Sequence, residues 1–149
     1  MKKLLCLLLC LLIPLASLAD QAWILCQPSS YVVCHMDPSK GSTEIGYFYC
    51  GDEIETTGKT QNGYLQVEVP FELGEGWVYK GYVTDDQPQE VNERRVITHD
   101  KVHARRYVNG PHRRWLNIGD TITVYWESDS WAATSQGYIQ TQFTGDYDP

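Results

Sequence analysis

The sequence predicts an all-β protein, two small β-barrels in tandem behind an export signal. One short pattern occurs twice along the chain, apolar residues alternate with period two over short runs, and no window of eleven or more residues has the three-and-four apolar spacing of an amphipathic helix. The first occurrence runs Tyr47-Phe48-Tyr49-Cys50-Gly51-Asp52-Glu53-Ile54-Glu55-Thr56. The second runs Trp115-Leu116-Asn117-Ile118-Gly119-Asp120-Thr121-Ile122-Thr123-Val124. A glycine- or serine-led aromatic follows each, as Asn62-Gly63-Tyr64 and Asp129-Ser130-Trp131. Each copy then closes on Gly76-Trp77-Val78 or Gly137-Tyr138-Ile139.

Taken in order, residues 1–19 read as a secretory signal peptide. Lys2 and Lys3 form a positive start, an apolar stretch runs from Leu4 to Leu15, and Ser17-Leu18-Ala19 supplies a small-residue cleavage site. The apolar run is too short to span a bilayer, and nothing later resembles a transmembrane helix. The expectation is therefore export, secreted or envelope-associated, with no stable membrane anchor after cleavage. Cleavage after Ala19 leaves 130 of the 149 residues, room for one ordinary domain or two very small ones.

The first copy occupies residues 20–86. A turn is expected at Asp37-Pro38, and a hairpin at Asn62-Gly63 leads into a strand in which Leu65, Val67 and Val69 alternate with Tyr64, Gln66 and Glu68. The stretch Pro70-Phe71-Glu72-Leu73-Gly74 sits near the tip of the next hairpin, with Phe71 and Leu73 either exposed or folded onto the neighbouring copy. From Thr84 to Glu90 there is no apolar side chain except Pro88, which marks the boundary. The second copy, residues 87–149, turns at Asn109-Gly110-Pro111 and has a strand in which Ile122, Val124 and Trp126 alternate with Thr121, Thr123 and Tyr125. Residues 145–149 are polar and read as a frayed end.

Charge is uneven. Residues 20–88 carry three lysines against eleven acids, while residues 89–149 carry seven basic side chains against eight acids. An acidic first half excludes a continuous phosphate-binding face, so no nucleic-acid partner is expected. The pairs Arg94-Arg95, Arg105-Arg106 and Arg113-Arg114 have three readings: a solvated surface, an electrostatic interface with the acidic copy, or a site for an anionic ligand that arginine grips bidentately. Neighbours on a strand face opposite sides, so only one member of each pair can serve one site.

Strung together, the landmarks resemble the bacterial Src-homology-3-like domain of exported cell-wall proteins. The first copy supplies residues 32–38 (Val32 to Pro38), Gly51-Asp52, Gly63-Tyr64, Gly76-Trp77-Val78 and Tyr82-Val83. The second supplies Val102-His103-Ala104-Arg105, Gly119-Asp120, Ser130-Trp131, Gly137-Tyr138-Ile139 and Phe143-Thr144. The chain departs from the family pattern at His35, where the family favours Arg, at Tyr64, where it favours Trp, and at Phe143, in place of a closing Tyr. The resemblance implies two Src-homology-3-like β-barrels in tandem, with aromatics lining grooves that hold extended peptides. Tyr64 and Tyr82 would line the first groove and Trp131 and Phe143 the second, with Arg105 beside Trp131 for an anionic group. Tyr64 and Trp131 are expected to stay partly exposed, since they point away from the face carrying Leu65 and Ala132. The competing role for all four aromatics is barrel core.

Catalytic signals are missing from the sequence: no nucleophile elbow, no phosphate-binding glycine loop and no His-Glu-x-x-His. Some relatives are joined to a papain-like cell-wall peptidase, for which this chain has no residues left. His35, His99, His103 and His112 lack metal-ligand spacing, so no metal and no cofactor is expected. The glycine–aspartate pairs read as turns in which the Asp side chain bonds nearby backbone N–H groups. Cys26, Cys34 and Cys50 survive cleavage, and export makes one disulfide plausible with one thiol left over. Three single pairings are open; aligning Cys26 with Val96 and Cys34 with Ala104 slightly favours Cys26–Cys34, with Cys34–Cys50 the close competitor.

The expected function is an exported, non-catalytic binding module for cell-wall peptidoglycan or its peptides, its two copies acting together through avidity. The alternative is a secreted protein-interaction or inhibitor protein with no wall affinity.

Overall fold

The computed structural model describes residues 20–28, 30–69 and 74–149, and within these the chain is all-β. The signal segment 1–19 and the tip residues 70–73, on which the Phe71 and Leu73 expectation falls, lie outside the described residues. The first sheet holds β1 (Asp20–Ile24), β2 (Tyr31–His35), β3 (Glu44–Tyr49), β4 (Glu53–Gln61), β5 (Tyr64–Val69), β6 (Gly74–Tyr79) and β7 (Val83–Thr84), in the order β3-β2-β6-β5-β4-β1-β7. The second holds β8 (Gln89–Ile97), β9 (Val102–Arg105), β10 (His112–Leu116), β11 (Thr121–Glu127), β12 (Trp131–Thr134), β13 (Gly137–Gln140) and β14 (Thr144–Asp146), in the order β10-β9-β13-β12-β11-β8-β14. Shifted by seven strands, the two orders coincide. A 3-10 turn, Lys80–Tyr82 in one and Thr141–Phe143 in the other, leads into the last strand of each.

Matching hydrogen bonds fix which residues are equivalent. Ile24 N–H donates to Asp52 O and Gly51 N–H to Ile24 O at 2.9 and 2.8 Å; Ile97 N–H donates to Asp120 O and Gly119 N–H to Ile97 O, both at 2.9 Å. Asp52 Oδ2 accepts the Tyr49 N–H at 2.7 Å and Asp120 Oδ2 the Asn117 N–H at 2.8 Å, which is how each Gly-Asp pair closes its turn. Ile24 therefore matches Ile97, Cys50 matches Ile118, and Cys26 matches His99. The alignment of Cys26 with Val96 is corrected accordingly, and the argument for a Cys26–Cys34 bridge falls with it.

Local chemistry explains the hairpins. Asn62 and Gly63 have φ of 51° and 81°, the left-handed pair of a two-residue hairpin whose twist suits the flanking strands β4 and β5. Each sheet then wraps its own core. Ile24, Val32, Cys34, Ile54, Val67 and Val78 fill the first; Ile97, Val102, Ala104, Leu116, Ile122, Val124 and Ile139 fill the second.

A third apolar cluster joins the copies: Leu25 from the first packs with Val108, Trp131, Ala133 and Tyr138 from the second, flanked by Cys50, Tyr82, Tyr107 and Trp126. Polar contacts frame it. Val108 N–H donates to Gly81 O at 2.9 Å, Gln27 Nε2 to Thr134 O at 3.2 Å, and the Ser130 hydroxyl to Asp86 Oδ2. Among the described residues the ion pairs are those of Arg95 with Glu93, Glu127 and Asp146, all within the second sheet. Apolar packing docks the copies, and among the described residues no arginine of the three pairs makes an ion pair across them.

Candidate functional site

The alternation along β12 places Trp131 and Ala133 opposite Ala132, yet all four residues of the strand are buried. Ala132 faces the second core, and the other face, which would be open in a single copy, is covered by Leu25 and its neighbours. Trp131 is consequently 6% exposed. Phe143 packs against the second core and lies edge-on to His99 at 5.3 Å. The expected second groove of Trp131 and Phe143 is thus absent: one residue has become docking surface and the other core.

The first copy differs. A cleft of about 480 Å³ opens between the copies, lined from the first by His35, Tyr31, Tyr64, Tyr79 and Tyr82 and from the second by Tyr138, Arg106 and Arg113. Lys40 and the loop residues Cys26, Gln27 and Ser30 complete much of its wall. Tyr64 is not the exposed ring expected of it, being only 9% exposed. His35 and Tyr79 cover it edge-on at 5.8 and 5.5 Å. Tyr79 in turn meets Tyr82 at 6.0 Å and Tyr107 at 5.1 Å, so the aromatic array runs without a break from one copy into the other.

Tyr79, Tyr82 and Tyr138 are held as neutral phenols. A hydrogen bond to Tyr107, then burial, pushes Tyr79 up to about 12. Burial raises Tyr82 and raises Tyr138 strongly. They can stack and hydrogen-bond at physiological pH but bring no charge. Charge comes from Lys40, Arg106 and Arg113, and among the described residues no carboxylate lines the cleft, although the chain carries a net charge of −7. His35 donates from Nδ1 to the Ser42 carbonyl at 3.2 Å, which fixes its ring beside Tyr64.

Two of the arginine pairs divide between a structural contact and the cleft, but not as Arg105 was expected to. Arg105 Nη1 donates to the Gly110 carbonyl at 2.7 Å and staples the loop after β9, while Arg106 faces the cleft. Arg114 reaches Gln136 Oε1 at 2.7 Å, while Arg113 faces the cleft. The sequence offered Arg106 and Arg113 only as members of pairs with an anionic ligand among their readings, and it passed over Tyr79, Lys40 and His35 as binding residues. Alternation past Gly76-Trp77-Val78 puts Tyr79 on the face opposite Val78, the one signal that could have found it.

The three cysteines are free thiols. Cys34 sits in the first core against Gly76, its thiol pushed by burial to about 11. Cys26 lies beside Cys50, and each perturbs the other: their mutual hydrogen bond raises Cys26 and lowers Cys50. Elsewhere His103 stacks on Trp115 at 3.9 Å and His99 bonds the Thr98 hydroxyl at 2.9 Å, so these two histidines serve different contacts. Among the described residues no three His, Cys, Asp or Glu side chains are grouped to hold a metal.

No family model matches the chain, and no curated protein matches it. Solved structures that do match include NlpC1 and NlpC2 from Trichomonas vaginalis, each at 12% identity and a TM-score of 0.36 over 86% of this chain. The chain spans 46% and 48% of their lengths, about half of each.

Proposed function

We propose that this chain is an exported, non-catalytic binding module in which two Src-homology-3-like barrels hold an extended, carboxylate-bearing ligand, a peptidoglycan stem peptide, in the cleft between them. The carrying observation is the cleft's lining: five tyrosines and His35 for stacking and hydrogen bonding, and Lys40, Arg106 and Arg113 with no acid beside them among the described residues. An extended peptide gives such a wall apolar area, and its carboxylate gives the guanidinium groups a bidentate partner. The shared strand order and the 3-10 turn before each last strand support the barrel reading. The signal-like start of the sequence supports export.

The cleft favours binding over catalysis. Its thiol, Cys26, is 2% exposed and its ionisation is opposed by Cys50 and by burial, the reverse of what a nucleophilic thiolate needs. Because one cleft serves both copies, affinity comes from a composite site and not from two grooves acting in parallel. Retention on purified, insoluble cell wall tests the reading: the full mature chain should sediment with it and be released by salt, since exposed cations are screened. Full retention in the supernatant, with capture of one specific protein instead, would move the function to protein interaction.

A further inference from the structure

The first copy places two thiols together at a point where the second copy has none. Cys26 N–H donates to Cys50 Sγ at 3.0 Å, and the Cys50 thiol donates back to the Cys26 carbonyl, also at 3.0 Å. Cys50 Sγ therefore lies against the backbone of Cys26 itself. Rotation of the Cys26 side chain away from the Ser30 carbonyl is the motion that carries its sulfur towards Cys50 Sγ. The Cys26 thiol has a weak partner of its own, the Ser30 carbonyl at 3.6 Å. The Cys34 sulfur is packed over Gly76, and among the described residues it makes no hydrogen bond to Cys26 or Cys50.

The fold does not need this pair. The equivalent residues of the second copy are His99 and Ile118, and the same backbone hydrogen bonds form there. Ile118 is 63% exposed, whereas Cys50 is turned inward to touch both the first core and the cluster that joins the copies. The residues around Cys26 are also the ones that meet the other copy and the cleft. Leu25 accepts the Tyr138 hydroxyl, Gln27 reaches Thr134, and Gln27 and Ser30 line the cleft wall.

We propose that Cys26 and Cys50 form a disulfide that fastens the loop after β1 to the turn between β3 and β4, and so fixes one wall of the cleft and the docking of the second copy. The oxidant is a disulfide-bearing dithiol partner or oxidised glutathione. The Cys50 thiolate attacks one sulfur of that disulfide and expels the other as a thiolate, leaving a mixed disulfide. With Cys50 held in the mixed disulfide, its opposing thiolate is gone; Cys26 then gives its proton to solvent and attacks the Cys50 sulfur, expelling the second thiolate. Two protein thiols lose two protons and two electrons, and the oxidant is reduced to two thiols. This assignment stands on the thiol geometry and does not depend on which ligand the cleft takes.

Peptide mapping without reduction decides it, on the mature chain equilibrated in oxidised and reduced glutathione. The expected result is a Cys26–Cys50 cross-linked peptide with Cys34 as the single alkylatable thiol. The Cys34→Ala variant should keep the cross-link, and oxidised protein should melt about 5–10 °C above reduced protein in both. Cys26→Ser and Cys50→Ser should each abolish the shift. If Cys50→Ser does not fold, mapping of the natural sequence and of Cys34→Ala still decides. Three free thiols in the oxidising buffer, or any cross-link that contains Cys34, overturns the assignment.

Discussion

The Tyr138 hydroxyl, on β13 of the second sheet, donates to the Leu25 carbonyl of the first sheet at 3.2 Å. Both residues are buried, 2% and 0% exposed, so water has little access to replace the bond. Tyr138→Phe keeps the ring and strands the carbonyl, a loss of about 1–3 kcal/mol. Leu25→Ala empties the centre of the joining cluster and should cost more, about 2–5 kcal/mol. Urea unfolding of the whole chain measures both. Losses near zero in the two variants would mean that docking contributes nothing to stability.

Gly51 and Gly119 occupy equivalent turns at φ of 89° and 87°, but only Gly51 faces the other copy. A Cβ at Gly51 would meet the Trp126 ring at 2.8 Å; at Gly119 it would meet nothing within 4 Å. Gly119→Ala should therefore show the left-handed backbone cost alone, about 1–2 kcal/mol. Gly51→Ala should cost that and the displacement of Trp126, with a visible change in tryptophan fluorescence. Equal costs and unchanged fluorescence would sink the role given to the Gly51–Trp126 contact.

These turns also mark what the sequence made legible. Gly51-Asp52 and Gly119-Asp120 were readable because φ above zero and a side chain that accepts the N–H three residues back are local demands, met within the motif itself. Asn62-Gly63 was readable for the same reason. Alternation correctly set Trp131 opposite Ala132, but Arg106 lies beyond the end of β9 and Arg113 at a register shift in β10, so alternation does not carry their turn to the cleft. What alternation does not carry is what covers a face. Trp131 read as a groove residue because nothing near it in sequence names Leu25, more than a hundred positions away, as its cover. The exposure of Tyr64 was misread likewise: the residue lines the cleft, but its ring is roofed by His35 and Tyr79 from other strands. The all-β class and the duplication were local properties; the docking and the cleft belong to tertiary packing.

Alkaline pH should loosen the interface before it unfolds either core. Tyr79, raised to about 12, and Tyr82 and Tyr138, also raised, all prefer the neutral phenol in the folded chain. A raised folded-state pKa gives stability that is fully present below the unfolded value, about 10 for tyrosine, and is lost as pH climbs through the folded value. Melting temperature should hold to about pH 9 and then fall steadily towards pH 12. In Tyr138→Phe the decline should be shallower, because one titrating group is gone. An equally steep decline in that variant would remove Tyr138 from the cause.

Binding and stability should separate along the line between buried aromatics and cleft cations. Trp131 lies in the joining cluster, so Trp131→Ala should cost about 3–5 kcal/mol of folding free energy. Its effect on ligand retention should follow from lost docking and vanish under conditions that restore the fold. Arg113 and Arg106 are exposed and form no ion pair among the described residues, so Arg113→Ala and Arg106→Ala should leave the melting temperature nearly unchanged. Each should weaken wall retention about tenfold or more, as loss of a charge-assisted contact does, and should flatten its salt dependence. Arg105→Ala should behave the opposite way, since its guanidinium holds the Gly110 carbonyl and does not line the cleft. It should lower stability modestly and leave the salt dependence of binding intact. Retention that survives Arg106→Ala and Arg113→Ala together, with the fold intact by circular dichroism, would take the anion-binding role away from this cleft.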